Sequence, residues 1–189
     1  DILLMSNYLI KNYPVYYSYF KEKTFTWDRT GGDPITQGNR NPLLYKRVGV
    51  DGIKTGYLAV EKYSLASSMK RDERRLIAVA SGFQTKTSRS SGSLKILSWG
   101  FRNTDTFRIS RNNETIFPVK SWLGKKIDIN GITKEDIYIT LKKKESRNLK
   151  VLLKYKGPVK APVEKDQEIA KIEIYLKDDL IKKVPVFAA

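Results

Sequence analysis

The segment Val50-Asp51-Gly52-Ile53-Lys54-Thr55-Gly56-Tyr57 brings together residue types that could do directed chemistry. On a strand edge lining a cleft, Lys54 would offer a cation and Thr55 a hydroxyl to one bound carboxylate. Gly56, lacking a side chain, would let a substrate backbone lie against the strand, and Gly52 would thin the wall behind it. A plain turn uses the same triplet, so the string alone leaves both readings open. The chain has no cysteine and no histidine. That removes disulfides, thiol catalysis, Cys-based metal sites, the usual zinc ligands and the Ser-His-Asp triad. Hydrolysis here would need lysine, tyrosine or a carboxylate as base, and the residues imply no metal and no cofactor.

The 189 residues suggest one or two domains, and 40% hydrophobic with 11% aromatic content suffices for a packed core. The net charge is +16. It is spread evenly, with 17 basic and 8 acidic residues through 103 and 19 and 12 after it. The densest runs are Lys70–Arg75 and Lys142-Lys143-Lys144. A nucleic-acid binder gathers charge on one face with interleaved aromatics, so solvated lysine-rich strands and turns are the preferred reading. Attraction to an anionic polymer or membrane surface ranks second. No apolar run approaches the roughly 18 residues of a membrane span. Asp1–Met5 has neither the basic start nor the cleavage site of a signal peptide.

Ile2, Leu3, Met5, Leu9 and Ile10 recur at helical spacing, and Pro14 should end that helix. Tyr16–Phe20 reads as a further helical turn, and Thr24–Trp27 as a strand. Gly-Gly and Asp-Pro predict a loop over Arg29–Pro34, and Asn39–Pro42 predicts a turn. Tyr63–Met69 and Arg75–Ser81 form a hairpin around the charged tip Lys70–Arg74. Thr87–Phe101 reads as a helix with Leu94, Leu97 and Phe101 on one face, weakened at Gly92. Beyond Asn103-Thr104 the period is two. Ile137, Ile139 and Leu141 alternate with polar residues, as do Ala170, Ile172, Ile174 and Leu176. Turn signals recur at Asn112-Asn113, Asn130-Gly131, Gly157-Pro158 and Asp178-Asp179. The expected fold class is α+β: an α/β unit over 1–103, then a small antiparallel β-sandwich over 104–189. Pro185 marks the last strand as an edge.

Lys-Thr-Gly is also the third motif of the serine penicillin-recognising enzymes. With Asn39-Arg40-Asn41-Pro42-Leu43-Leu44, Leu76–Val79, Ser81-Gly82, Arg89 and Leu97–Phe101, the chain resembles the D-alanyl-D-alanine carboxypeptidases of the low-molecular-mass penicillin-binding-protein type. The likeness runs through the β-rich tail. The resemblance implies a serine β-lactamase/transpeptidase-like α/β unit and a periplasmic enzyme on the outer face of the inner membrane. Such an enzyme trims D-Ala from peptidoglycan stem pentapeptides through a serine acyl-enzyme, and β-lactams inhibit it covalently. Lysine as base fits a chain without histidine. By resemblance, Lys54 belongs to the proton-relay and electrostatic network, and Thr55 bonds the terminal carboxylate, with Gly56 alongside. Arg89 is a carboxylate-binding arginine, and the Tyr57 N–H is one oxyanion donor.

Leu58–Lys62 departs from the family's threonine and glycine-containing turn, which bears on substrate preference. The family's nucleophilic Ser-x-x-Lys and its Ser-x-Asn lie roughly a hundred residues or more upstream of Lys-Thr-Gly, whereas 53 residues precede Lys54. Ser18–Lys21, Ser67–Lys70 and Ser110–Asn112 match these patterns in the wrong places. The expectation is therefore the C-terminal part of such an enzyme, cut within its catalytic domain and inactive alone. Self-association or complementation by the N-terminal segment would follow. A C-terminal amphipathic anchor would lie outside these residues, so peripheral membrane association is left open. The alternatives are a non-catalytic cell-wall binding or spacing module and, last, a nucleic-acid binder.

Overall fold

Leu9 and Ile10 seat the first helix, α1 (Ile2–Asn12), which stops as Tyr13 approaches Pro14. The residue before proline is pushed out of the helical region, and Pro14 then opens α2 (Pro14–Tyr17), whose missing N–H costs nothing at that position. A 3-10 turn (Ser18–Lys21) follows, then strands β1 (Thr24–Arg29) and β2 (Gly32–Gly38). The computed structural model describes residues 1–189 as two units, Asp1–Arg102 and Asn103–Ala189.

The β1–β2 pair corrects the loop expected over Arg29–Pro34. The strands are antiparallel with Thr26 opposite Thr36, and the connection shrinks to Thr30-Gly31, with Gly31 at φ 75°. Both strands of a two-stranded ribbon are edges, so Pro34 removes no needed ladder bond. The ribbon's base is clamped. Asn39 donates its N–H to the Lys23 carbonyl at 2.7 Å and its amide to the Glu22 carbonyl at 2.9 Å. The Tyr45 hydroxyl lies 2.9 Å from the Lys23 carbonyl and 3.1 Å from the Asn39 carbonyl.

Strands β3 (Val50–Leu58), β4 (Lys62–Arg71) and β5 (Arg74–Phe83) form an antiparallel meander in that order. Helix α3 (Lys86–Asn103) runs unbroken through Gly92. Leu43, Leu65, Met69 and Leu97 make one core with Leu94 and Phe101 of α3. Tyr17, Ile53 and Ala66 make a second with Leu9, Ile10 and Phe20. Central strand β4 is thus covered on both faces, and its residues Leu65–Met69 are all buried.

The second unit follows the period-two pattern. Its strands are β6 (Thr104–Ser110), β7 (Thr115–Trp122), β8 (Asp128–Ile132), β9 (Ile137–Lys142) and β10 (Leu149–Lys154). β11 (Val159–Lys160), β12 (Glu168–Leu176) and β13 (Asp179–Ala188) complete it. Six form a sheet in the order β10-β12-β13-β8-β7-β11, and β6 pairs with β9. Val119, Ile137, Ile172, Ile174 and Val186 fill the core. Strand pairing is antiparallel except where β11 runs parallel to β7, and a single parallel bridge joins Asn112 to Thr133.

Pro185 does not mark an edge strand, because β13 lies between β12 and β8. β8 reaches only Phe187 and Ala188, so at Pro185 the strand has one neighbour and the missing N–H goes unneeded. Glu173 points away from the core yet is 6% exposed. It is covered by side chains: Lys154 and Lys183 approach its carboxylate at 2.7 and 2.8 Å, and the Tyr175 hydroxyl donates to it at 2.6 Å. Those bonds, led by Lys154, lower its pKa from 4.5 to about 2.

Candidate active-site edge

β3 is the outer strand of its sheet, so the edge away from β4 carries backbone groups with no strand partner. Lys54 and Thr55 sit on this edge where two hollows meet. One, of about 380 Å³, is lined by Tyr19, Phe20, Gln37, Asn39 and Arg40. The other, about 800 Å³ and mostly apolar, runs under α1 past Met5, Tyr8 and Leu9. Lys54 is exposed, and its Nζ donates to the Thr55 carbonyl at 2.6 Å.

The glycines act otherwise than the sequence suggests. A Cβ at Gly56 would strike the Ser64 hydroxyl on the paired strand, so that space is already filled. A Cβ at Gly52 would lie 2.8 Å from the Tyr17 hydroxyl. Gly52 therefore admits Tyr17 against β3 rather than thinning a wall.

That close approach serves a polar cluster. The Tyr17 hydroxyl donates to Asp51 Oδ1 at 2.6 Å. Arg75 grips Asp51 with both terminal nitrogens, at 2.8 and 2.7 Å, and donates to the Ser68 hydroxyl at 2.6 Å. Its guanidinium lies 5.2 Å from the centre of the Tyr17 ring. Burial, then the bond to Asp51, raises the Tyr17 pKa; the same carboxylate raises that of Arg75. Nearby, the fully buried Asn41 donates to the Gly52 carbonyl at 3.0 Å and accepts the Leu43 N–H at 3.1 Å. Asp51 and Gly52, directly before the Lys-Thr-Gly triplet, are thus fixed from two sides.

Arg89, on α3, is 7% exposed and its Nε has no partner. Burial lowers its pKa, opposed by Tyr63. No hydrogen bond joins it to Lys54 or Thr55; its guanidinium lies 5.6 Å from the Tyr63 ring centre, and Tyr63 packs on Tyr57 at 4.8 Å. No ion pair engages Arg40, Lys54 or Arg89.

The hydroxyls in the three serine strings are engaged elsewhere. Ser67 is fully buried in β4 and bonds the Ala78 carbonyl at 3.2 Å. Ser18 bonds the Val15 carbonyl at 2.7 Å, and Ser110 shares a 2.7 Å bond with Thr133. In β4, Ser67 and Lys70 are three apart and face opposite sides of the sheet.

Residues 1–85 match the family D-alanyl-D-alanine carboxypeptidase, and residues 105–189 match Penicillin-binding protein 5, C-terminal domain. The chain belongs to the D-alanyl-D-alanine carboxypeptidase family. It is 33% identical over 190 residues to the family member DacD of Salmonella typhimurium, covering 98% of this chain and 47% of that one. With the carboxypeptidase DacF of Bacillus subtilis it is 35% identical, over 79% of this chain and 39% of that one. The crystal structure of penicillin binding protein 5 from Haemophilus influenzae superposes with a TM-score of 0.86 at 30% identity, covering all of this chain and 54% of that one. The chain thus spans about half the length of the curated carboxypeptidases it matches.

Against that family background, sequence reasoning missed Arg40, which lines the groove beside Lys54, and the Tyr17–Asp51–Arg75 cluster. Asn39–Pro42 carries part of the resemblance, and its residue types by themselves signal only a turn. A half-buried ion pair 24 residues apart has no periodic signature.

Proposed function

We propose that residues 1–189 provide the substrate-docking half of a periplasmic serine-type D-Ala-D-Ala carboxypeptidase. One observation carries this reading: an open strand edge presents Lys54 and Thr55, with Arg40 beside them, and no acidic side chain neutralises either cation. A peptide laid along β3 would pair with its free backbone groups as an added strand. Its terminal carboxylate would take the Thr55 hydroxyl and the positive field of Lys54, Arg40 and Arg89. The Tyr57 N–H would serve as one oxyanion donor, and Lys54 would stabilise charge and relay protons as the acyl bond forms and breaks. A serine with a lysine base, which Ser18, Ser67 and Ser110 do not supply, would complete the reaction from outside these residues.

The experiment is a titration of the chain with a peptide ending in D-Ala-D-Ala, followed by amide NMR, beside incubation with a labelled penicillin and intact mass measurement. The expected result is saturable shifts at Lys54–Tyr57, weakened by Thr55→Val and Lys54→Met, and no covalent adduct. An unperturbed β3 would refute docking. Stoichiometric labelling lost in Ser18→Ala or Ser67→Ala would refute the division of labour.

A further inference from the structure

The β1–β2 ribbon carries aromatic surface that no core uses. All residues of both strands are exposed. Phe25 and Trp27, at i and i+2, share a face and stack with ring centres 5.9 Å apart and planes at 20°, while remaining 67% and 37% exposed. Their cross-strand partners Gln37 and Ile35 lie on that face; the other face carries the Thr26–Thr36 hydroxyl pair. Exposed stacked rings of this kind mark a binding surface.

Charge narrows the ligand. In a chain of net +16, the residues Thr24–Gly38 carry Asp28 and Asp33 against Arg29 alone. A face meant for nucleic acid or an anionic membrane would carry cations. The ligand expected here is neutral, with an apolar face for the rings and hydrogen-bonding groups at its rim. Gln37 meets that need, because its exposed side chain lines the hollow beside the rings and its amide offers both donor and acceptor. A pyranose ring has this character: its C–H face meets the negative face of an aromatic ring while its hydroxyls project sideways.

Position narrows it further. The hollow beside the stack, about 330 Å³, is lined by Tyr19, Phe25, Trp27 and Gln37. It shares Tyr19, Gln37, Gly38 and Asn39 with the groove that ends at Lys54 and Thr55. The clamp at Asn39 and Tyr45 holds this platform beside that groove, so little ordering is left for binding. We propose that the Phe25–Trp27 face is a saccharide subsite, stacking a sugar ring of the glycan to which a stem peptide is attached. The inference rests on the reading of β3 as a stem-peptide docking edge, and makes the preferred ligand a glycan-linked peptide.

The test compares, on the 189-residue chain, a bare stem pentapeptide, the same peptide on an N-acetylhexosamine disaccharide, and a neutral N-acetylhexosamine oligosaccharide. Calorimetry gives affinities, and the Trp27 indole NMR signal reports the subsite. The glycosylated peptide should bind about ten-fold tighter than the bare one. Phe25→Ala/Trp27→Ala, and separately the strand-compatible Trp27→Leu, should remove that gain and leave bare-peptide affinity unchanged. Thr55→Val should weaken both peptides and spare the oligosaccharide. Equal affinity for the two peptides refutes the subsite and leaves docking intact. An oligosaccharide that shifts Trp27 while neither peptide binds refutes docking and supports the subsite. A Trp27 signal that moves only with anionic phosphatidylglycerol vesicles, or only with chain concentration, assigns the face to a membrane or a second copy and overturns the proposal.

Discussion

Asp51→Asn tests whether the strand that presents Lys54 and Thr55 is held by charge. The Asp51 carboxylate accepts three bonds of 2.6–2.8 Å, from Tyr17 and both terminal nitrogens of Arg75. Bonds to a charged group contribute about 1.5–3 kcal/mol each in favourable settings. The Asp51 and Arg75 side chains keep 26% and 24% of their surface in water, which screens part of this. Asparagine retains one acceptor but leaves Arg75 half-buried without its counter-ion. The expected cost is about 2 kcal/mol, roughly a 10 °C fall in melting temperature for a unit of this size. Arg75→Met should cost a similar amount, and the double variant little more than either, giving a coupling of about 1.5–2 kcal/mol. Urea unfolding of all four proteins measures the cycle, and amide exchange at 50–57 localises the loss. Additive effects, with coupling below about 0.5 kcal/mol, would show that the pair is a bystander. Tyr17 supplies a control by pH. Its raised pKa gives stability that is full below the ordinary tyrosine value near 10 and declines above it. Tyr17→Phe should flatten that alkaline decline.

Arg89→Met removes a buried cation whose Nε has no partner. Peptide affinity should fall by about 1 kcal/mol, the scale of losing one nearby charge's field without a direct bond, read by calorimetry, while thermal stability holds or rises; wild-type affinity would remove Arg89 from the site. In the second unit, the lowered pKa of Glu173 gives stability that is present above pH 4.5 and lost as pH falls through about 2. Thermal melts of Glu173→Gln from pH 5 to 2 should lack that acid loss, and a curve parallel to wild type would refute the link. Limited proteolysis near Asn103–Asp105 should release a stable β-rich fragment, since 104–189 holds its own core; a fragment that cannot be isolated folded would show that this core depends on the rest of the chain.

Period and breakers carried much of the fold. Ile172 and Ile174 pointed inward as their alternation with Glu173 and Tyr175 requires, and Leu97 fell on the buried face of α3. Two failures have physical causes. Pro34 and Gly31-Gly32 are breakers within a sheet, but a ribbon with two free edges tolerates them, so the loop expected over Arg29–Pro34 is instead the turn and the start of β2. Pro185 suggests an edge strand, although it sits within β13 where a neighbouring strand has ended. At the candidate site, Lys54 and Thr55 stand out in the sequence because their chemistry is local. Their supports do not. Asp51 and Arg75 look like two of many charges, and only folding places them 2.7 Å apart. Asn41 looked like a turn residue because its side chain does cap a turn; that it also holds the Gly52 carbonyl depends on tertiary packing.

The clamp of Asn39 and Tyr45 at the ribbon's foot has a practical consequence. Every bond that fixes the ribbon to the unit lies at residues 22–23, 39 and 45, and none involves Thr30 or Gly31 at its tip. Length at the tip and position at the foot are therefore separable. Residues can be inserted at Thr30-Gly31 without altering how the ribbon leaves the unit, while a change at Asn39 disturbs the foot of both strands together. A fluorophore attached at the tip would act as the end of a lever. Its rotation relative to the unit would report, amplified by distance, small shifts at the foot, where residues 37–40 border Lys54 and Thr55.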